Sequence, residues 1–401
     1  MPFFLIPTLK KQFREQNYIC SSIFDVYFQK KSKKKKNFLV PRSGIIMFYR
    51  QFNKLIWQFD LFFCPTENNL YFVCIQKNRN IVNIKNTPDF VEIWRYCRML
   101  TFKKKCCLFL SEEVWDLKWS KLNQKQQKII VLCFGFDLKI FEMPKIYPQY
   151  TKLISASMYI KLIGVFQWKL SWSGPNLAVG DINGKIVLYE FEKTLSLCQI
   201  GSAVHTNSPI SCLNIFSGEK SNTKYLISGG FDGYVKLWNL SDRSKPIFQI
   251  NYYNRRIMSV SSNIDNFGFP VIFTGLDSGY FSIVSLSVNF DTNIQFGHQG
   301  GFSESVLENE QIYSVGCDGD FVISDLIFPS YAKHFFLDSK FFHKILSRQT
   351  IRPNAKNFIL QTCGTRFANK LIRINQIPNK RSLALLTGNA GVLLFLNFKK
   401  I

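Results

Sequence analysis

The sequence predicts an all-β protein made of repeated four-stranded antiparallel sheets, and three observations lead to this prediction. Apolar segments of strand length occur in pairs, and a short turn of Asp, Asn or Gly joins each pair. A glycine closes the first strand of each pair at a nearly regular interval, and a further short strand precedes several pairs. Such a period of about 40–45 residues is typical of sheets arranged radially around an axis, the β-propeller architecture.

The strand pairs are clearest in LISGGFDGYVKLWNL, residues 226–240. Weaker copies occupy residues 129–143, 176–191, 270–286, 311–326 and 383–398. The closing glycines stand 45, 50, 45, 41 and 72 positions apart, at Gly135, Gly180, Gly230, Gly275, Gly316 and Gly388. The last interval fits one repeat and an insertion of about 30 residues. A similar pair with a longer turn at 71–76 and 91–94 brings the number of predicted blades to seven.

The turns and the extra strands agree with this architecture. Asp-Gly and Asn-Gly turns supply the positive φ that a tight two-stranded connection needs. The preceding strands are VWDLKWS (114–120), QWKLSWS (167–173), ISCLNIF (210–216) and IMSVSS (257–262). In a radial stack each sheet covers its neighbours, so Val235, Leu237 and Trp238 are all expected to be buried although they share one strand. We predict a seven-bladed propeller over residues 60–401, with an insertion near 328–371.

Composition excludes several classes of protein. Apolar residues make up 46% of the chain and aromatic residues 16%, which is too high for a disordered protein. No window of about 18 apolar residues occurs, so no transmembrane helix and no membrane partner are expected. The first residues become basic too quickly for a signal peptide. We therefore expect a soluble intracellular protein.

No residue pattern indicates catalysis, a metal or a cofactor. The eleven cysteines are scattered and form no C-x-x-C pair, and the four histidines do not cluster with them. The chain contains no nucleophile elbow, phosphate-binding loop or kinase motif set. We therefore expect a non-enzymatic protein with no catalytic residue, no metal, no cofactor and no small-molecule substrate.

Basic charge is concentrated at the two ends of the chain. The formal charge is +24; residues 1–60 hold 12 Lys and Arg against 3 acids, and residues 331–401 hold 13 against Asp338 alone. Residues 1–59 are predicted to form a short basic N-terminal extension, partly disordered. Its core is a cationic run of Lys30, Lys31, Lys33, Lys34, Lys35 and Lys36. This run is either a nuclear localisation signal, a non-specific DNA contact or a solvated arm enriched in lysine by codon bias.

The repeats resemble WD40 repeats, in which a histidine before the unit, a strand Ser or Thr, a Trp and a turn Asp form a buried hydrogen-bond chain. The resemblance assigns these positions to His205, Ser228, Asp232 and Trp238. The role that it implies for them is structural, because a satisfied buried polar network fixes one fold.

The order of several segments carries a closer resemblance. These segments are VEIW (91–94), VWDLKW (114–119), IFEMPK (140–145), LSWS (170–173), NLAVGDING (176–184), AVHTNSPIS (203–211), GGFDGYVKLWNL (229–240), RINQIPN (373–379) and TGNAGVLLF (387–395). They are similar to the WD-repeat subunit of RNA polymerase III transcription factor IIIC. This resemblance implies a nuclear scaffold that binds other subunits of that factor and helps to hold internal promoter DNA, indirectly or non-specifically, through its basic ends.

A second interpretation stays open. The chain can instead be a WD40 adaptor in another nuclear assembly, such as one for ribosome biogenesis or ubiquitin ligation. In that case the lysines bind RNA or direct the protein to the nucleus. The partners recovered from nuclear extract distinguish the two interpretations.

Overall fold

The computed structural model describes the strands and many of the turns that join them. The described residues are 46–51, 55–64, 69–77, 89–97, 101–110, 113–119, 129–142, 158–161, 166–191, 195–200, 204–217, 223–242, 245–265, 267–287, 294–308, 311–317, 320–325, 333–336, 370–374, 382–387 and 392–398. Within these ranges the backbone forms strands and turns and no helix, so no helix there is long and apolar enough to span a membrane. The prediction of an all-β protein is confirmed.

The strands are numbered in chain order and grouped by sheet. The first strand is β1 (Ile46–Gln51). Sheet I holds β2 (Leu55–Cys64), β3 (Asn69–Lys77), β4 (Asp89–Cys97) and β5 (Thr101–Leu110). Sheet II holds β6 (Asp116–Trp119), β7 (Ile129–Cys133), β8 (Asp137–Glu142) and β9 (Met158–Lys161). Sheet III holds β10 (Gln167–Ser173), β11 (Asn176–Asp181), β12 (Ile186–Phe191) and β13 (Leu195–Ile200).

The remaining sheets follow the same order. Sheet IV holds β14 (Ile210–Ser217), β15 (Lys224–Gly230), β16 (Tyr234–Asn239) and β17 (Phe248–Asn251). Sheet V holds β18 (Ile257–Ile264), β19 (Pro270–Leu276), β20 (Tyr280–Ser285) and β21 (Gln295–Phe296). Sheet VI holds β22 (Phe302–Glu308), β23 (Gln311–Gly316), β24 (Asp320–Asp325) and β25 (Lys333–Phe336). Sheet VII holds β26 (Lys370–Ile374), β27 (Ser382–Thr387) and β28 (Val392–Phe398), and β1 is its fourth strand.

All strand pairs are antiparallel, and consecutive strands in sheets I to VI lie side by side. The predicted strand pairs are present, for example β15 and β16, in which Leu226 lies opposite Trp238. Gly184, Gly233 and Gly279 adopt φ of +82° in the turns between the second and third strands, as the turn chemistry predicts.

Sheet VII joins the two ends of the described chain. β1 pairs with β28 along its whole length, from Ile46 opposite Asn397 to Gln51 opposite Val392. The N-terminal extension was expected to reach residue 59, whereas β1 and the first half of β2 precede that boundary. The repeat pattern did not reveal β1, because its partner strand lies at the opposite end of the sequence. Within the insertion expected near 328–371, the structure describes residues 333–336, which form β25, and residues 370–371, which begin β26.

The first strands of neighbouring sheets contact one another. The contacts run in the order β2, β6, β10, β14, β18, β22 and β26, and β26 also contacts β2. Side-chain oxygens of one first strand accept hydrogen bonds from the backbone of the next. These bonds are Trp119 N to Asp60 Oδ2 at 2.8 Å, Leu170 N to Asp116 Oδ2 at 2.9 Å and Ile215 N to Ser171 Oγ at 2.9 Å. The sheets are therefore tied along a common inner edge, away from their outer strands.

The core lies between neighbouring sheets. Sheets III and IV share one apolar cluster, in which Ala178 and Leu188 pack with Leu226 and Trp238. Val235 and Leu237, which alternation alone would place on one face, are fully buried as expected, on the side that packs against sheet V. Burial of both faces stabilises each sheet by about 25 cal/mol per Å² of apolar surface removed from water.

Candidate functional site

The structure brings together the four residues of the predicted WD network. The imidazole Nδ1 of His205 lies 2.9 Å from Oδ1 of Asp232, and Nε2 lies 2.9 Å from Oγ of Ser228. The indole Nε1 of Trp238 donates to the same Ser228 oxygen at 3.4 Å. The network joins the connection before β14, the strands β15 and β16, and the turn between those two strands.

Burial decides what this network can do. His205 and Ser228 are fully buried, Trp238 is 4% exposed, and the Asp232 side chain is 15% exposed. Asp232 also accepts a hydrogen bond from the backbone N–H of Tyr234 at 3.1 Å, which fixes the turn. Three of the four side chains are therefore enclosed by the protein, and only Asp232 is partly exposed. The network therefore locks the connection, the strand pair and the turn into one unit.

A partial second network lies in sheet VI. Nε2 of His298 is 2.9 Å from Oγ of Ser314, and both side chains are buried. The imidazole also meets the ring of Phe302 edge-on, with centroids 4.7 Å apart. Asp318, the turn carboxylate of this repeat, lies outside the described residues.

The Asp232 carboxyl is expected to make stability depend on pH. Burial raises its pKa, but the hydrogen bond and charge of His205, the Tyr234 N–H and the Lys236 ammonium outweigh burial, so the pKa lies below 3.8. This stabilisation is present above pH 3.8 and is lost as the pH falls through the lower native pKa. Asp232→Asn is expected to lower the free energy of unfolding by about 1–2 kcal/mol at neutral pH.

Denaturant unfolding across the acid range checks this expectation. The deficit of Asp232→Asn relative to the wild type should shrink as the pH falls from 3.8 through the lower native pKa, since both chains carry a neutral side chain at this position once the native carboxylate is protonated. Asp277→Asn, at an exposed carboxylate in the corresponding turn of sheet V, is the matched control and should change stability little. A deficit that stays constant with pH would contradict the assignment.

One end of the sheets gathers the tight turns and the connections between sheets. We call it the turn end: it carries the turn between the second and third strand of each sheet and the segment that leads to the next sheet. Backbone hydrogen bonds join the two kinds of segment, as in Tyr252 N to Gly233 O at 2.9 Å and Asp277 N to Arg256 O at 3.0 Å. Side chains from different sheets therefore meet at this end.

Aromatic rings crowd the turn end of sheets II and III. The ring of Phe166 meets Trp115 and Phe136 edge-on, with centroids 5.2 Å and 5.4 Å away. Phe136 is 53% exposed, although Phe is usually buried in a folded chain. The cluster thus presents an apolar surface beside the connection that leads into β10.

A second set of side chains continues across sheets III, IV and V, and we call it the arginine–aromatic row. Its members, in spatial order, are Lys169, Trp168, Phe231, Arg256, Arg255, Tyr280 and Phe296. Trp168 and Phe231 meet edge-on at 6.0 Å, and Tyr280 and Phe296 meet edge-on at 5.5 Å. The row begins on a first, inner strand and ends on a fourth, outer strand.

The cations of the row lie over aromatic rings. The Arg256 guanidinium is 5.4 Å from the centroid of Phe231, and that of Arg255 is 5.1 Å from Tyr280. Arg255 also donates a hydrogen bond from Nη1 to Oγ of Ser278. Within the described ranges, no carboxylate forms an ion pair with either arginine. This includes the exposed carboxylate of Asp277, which lies nearby. The row therefore carries uncompensated positive charge.

A backbone irregularity positions Trp168. The register between β10 and β11 shifts between Gln167 and Lys169, so Trp168 is an extra residue without a cross-strand partner. A bulge of this kind bends the strand and re-aims the side chain. Comparable shifts occur near the start of β2, β14, β18 and β22. In several sheets, therefore, a bulge near the start of the first strand changes the direction of one side chain at the turn end.

Burial keeps two thiols of the described residues in their protonated form. Burial raises the pKa of the Cys133 thiol to about 12 and that of Cys212 to about 11, so both stay protonated at neutral pH. No group of three or more His, Cys, Asp or Glu side chains with metal-binding geometry occurs in the described part of the chain.

The candidate residues predicted from the sequence differ from those that the structure reveals. Lys30, Lys31, Lys33, Lys34, Lys35 and Lys36 lie outside the described residues. The arginine–aromatic row was not predicted, because its members are distributed over three repeats. One signal could have found part of it: Phe231 follows the closing glycines of β15, and the Arg255-Arg256 pair stands directly before β18.

Comparisons with known proteins do not extend these observations. No protein-family model and no curated protein matches the chain.

Proposed function

We propose that the seven sheets form a closed, seven-bladed β-propeller of the WD40 type and that the chain is a non-enzymatic scaffold subunit. The observation that carries the proposal is the return of the first-strand contacts from β26 to β2. The pairing of β1 with β28 supports it, because a propeller is closed when the two chain ends share one blade. The His205 network supports the WD40 type.

We further propose that the assembly is transcription factor IIIC. The segments that resemble its WD-repeat subunit coincide with elements of the fold: WDLKW contains β6 and LSWS ends β10, both of which are first strands. Their hydrogen bonds to neighbouring sheets give these segments a role in holding the ring together. A rigid ring suits a subunit that holds partners, since binding loops act best on a rigid scaffold.

DNA contact is assigned to the basic ends. Since β1 and β28 are paired, residues 1–45 and 399–401 are both joined covalently to strands of sheet VII. The positive charge of the N-terminal segment is therefore attached to the sheet that also holds the basic C-terminal segment. Contacts between lysines and phosphates are non-specific and weaken as salt rises. The scaffold thus contributes charge to promoter DNA while another subunit reads its sequence.

A tagged pull-down from nuclear extract tests the proposal, with proteins identified and crosslinked DNA sequenced. The expected result is enrichment of RNA polymerase III factors and tRNA genes. Replacing the lysine run (Lys30, Lys31, Lys33, Lys34, Lys35 and Lys36) by glutamine should reduce the crosslinked DNA in a salt-dependent way and leave the protein partners unchanged. Recovery of ribosomal RNA precursors or ubiquitin ligase subunits without tRNA genes would overturn the assignment in favour of another WD40 adaptor.

A further inference from the structure

We infer that the arginine–aromatic row is a binding surface for an extended acidic peptide segment of a partner protein. The inference concerns the chemistry of this surface and does not depend on which assembly contains the chain. The row places cations beside aromatic rings, which a chain of carboxylates and apolar side chains matches.

The continuity of the row favours an extended ligand over a compact one. Arg255 and Arg256 are neighbours in the chain, and each lies over a ring of a different sheet, Tyr280 of sheet V and Phe231 of sheet IV. Trp168 adds sheet III. The surface thus crosses three sheets from inner to outer strand, a path that an extended segment can follow with successive side chains.

Uncompensated charge specifies an anionic ligand. Arg256 is exposed, Arg255 and Lys169 are half-buried, and no carboxylate of the described residues pairs with Arg255 or Arg256. A guanidinium stacked on a ring keeps the N–H donors at its edge available, and those donors match both oxygens of a carboxylate. Stacking also holds the side chain in place, so less conformational entropy is lost when the carboxylate binds.

The same stacking favours a peptide over single-stranded nucleic acid. Bases bind such surfaces by stacking on open aromatic faces. Here a cation lies over Phe231 and another over Tyr280, so one face of each ring is covered by the protein itself. The exposed rings that remain, such as Phe296 at the outer end (58% exposed), suit apolar side chains that flank the acidic residues.

Fluorescence anisotropy on the full chain tests the inference. The probe is a short fluorescein-labelled peptide rich in glutamate with a central pair of phenylalanines. Two comparison probes are the same peptide with glutamine in place of glutamate and an oligothymidylate of similar length. All of these measurements use a background variant in which glutamine replaces the six lysines of the lysine run, because that run would bind any polyanion.

Two double variants share this background. Arg255→Gln with Arg256→Gln removes both guanidinium groups and is expected to weaken binding of the acidic peptide by at least about tenfold. Lys224→Gln with Lys245→Gln removes the same charge at the opposite end of sheet IV and is expected to change binding by less than about twofold. In the same background, the single variant Arg256→Lys keeps the charge without the planar edge. It should retain only part of the background's affinity for the acidic peptide.

Each outcome either supports or overturns the inference. Equal binding of the glutamate and glutamine peptides overturns it, and so does an arginine double variant that binds as tightly as its background. Tighter, arginine-dependent binding of the oligothymidylate overturns it in favour of single-stranded nucleic acid. Thermal unfolding shows whether the double variant is folded; if it is not, the exposed Arg256→Gln alone carries the test. The pull-down tests the proposed function, and the anisotropy measurement tests the arginine–aromatic row. The failure of one proposal is therefore recognised independently of the other.

Discussion

Gly184→Ala is expected to lower the free energy of unfolding by about 4 kcal/mol, a large part of the roughly 5–15 kcal/mol that keeps a domain folded. Gly184 has φ of +82°, where an L-residue is strained by about 1–2 kcal/mol. An added Cβ would also lie 1.6 Å from the carbonyl oxygen of His205 and 2.9 Å from that of Ser208. Both obstacles are backbone atoms, so the connection that carries His205 must move.

Gly268→Ala separates the two causes. Gly268 has φ of +93°, but no atom lies within 4 Å of an added Cβ, so only the conformational cost of about 1–2 kcal/mol applies. Urea denaturation of both variants gives the difference directly. Equal losses at the two positions would show that the close approach of the His205 backbone has no energetic weight.

Removal of residues 1–51 is expected to produce the second large effect. The truncation deletes β1 and leaves β28 without the partner that it has along the whole of β1. Several backbone hydrogen bonds are lost at about 1 kcal/mol each, which amounts to about 4–5 kcal/mol. The bare edge of β28, VLLFLNF, is apolar in sequence, so the truncated chain should also aggregate, as unprotected edge strands do.

The matched control begins at residue 46. It removes the lysine run and the rest of residues 1–45 but keeps β1, so it should unfold at nearly the same urea concentration as the full chain. Size-exclusion chromatography and urea denaturation compare the two truncations. If both behave alike, β1 does not contribute to the stability of sheet VII and the boundary expected at residue 59 is the better one.

The sequence predicts the strand pairs because their signal is local. In residues 224–239 a strand, a Gly-containing turn and a second strand follow one another, and the turn requires a positive φ at Gly233. The inner strands are also recognisable, since β10 coincides with the predicted QWKLSWS. The resemblance to WD40 repeats also led to the prediction that His205, Ser228, Asp232 and Trp238 form one network, and the structure contains its hydrogen bonds.

Elements without a local signal were missed. Several fourth strands are short, such as the four-residue β17, FQIN, which pairs with the third strand of its sheet. β1 has no neighbour in the sequence that could indicate its pairing. The arginine–aromatic row depends on a bulge at Trp168 and on contacts between sheets, which single repeats do not encode.

The pairing of β1 with β28 also sets a time at which the protein can be completed on the ribosome. β1 leaves the exit tunnel well before β28: roughly 340 residues lie between the two strands, and their synthesis takes about 20–70 s at 5–20 residues per second. Until then IMFYRQ has no partner strand. Sheets I to VI can form progressively, whereas sheet VII can be completed only after β28 has emerged. A nascent chain stalled before residue 392 should therefore be a substrate for chaperones that bind extended apolar segments.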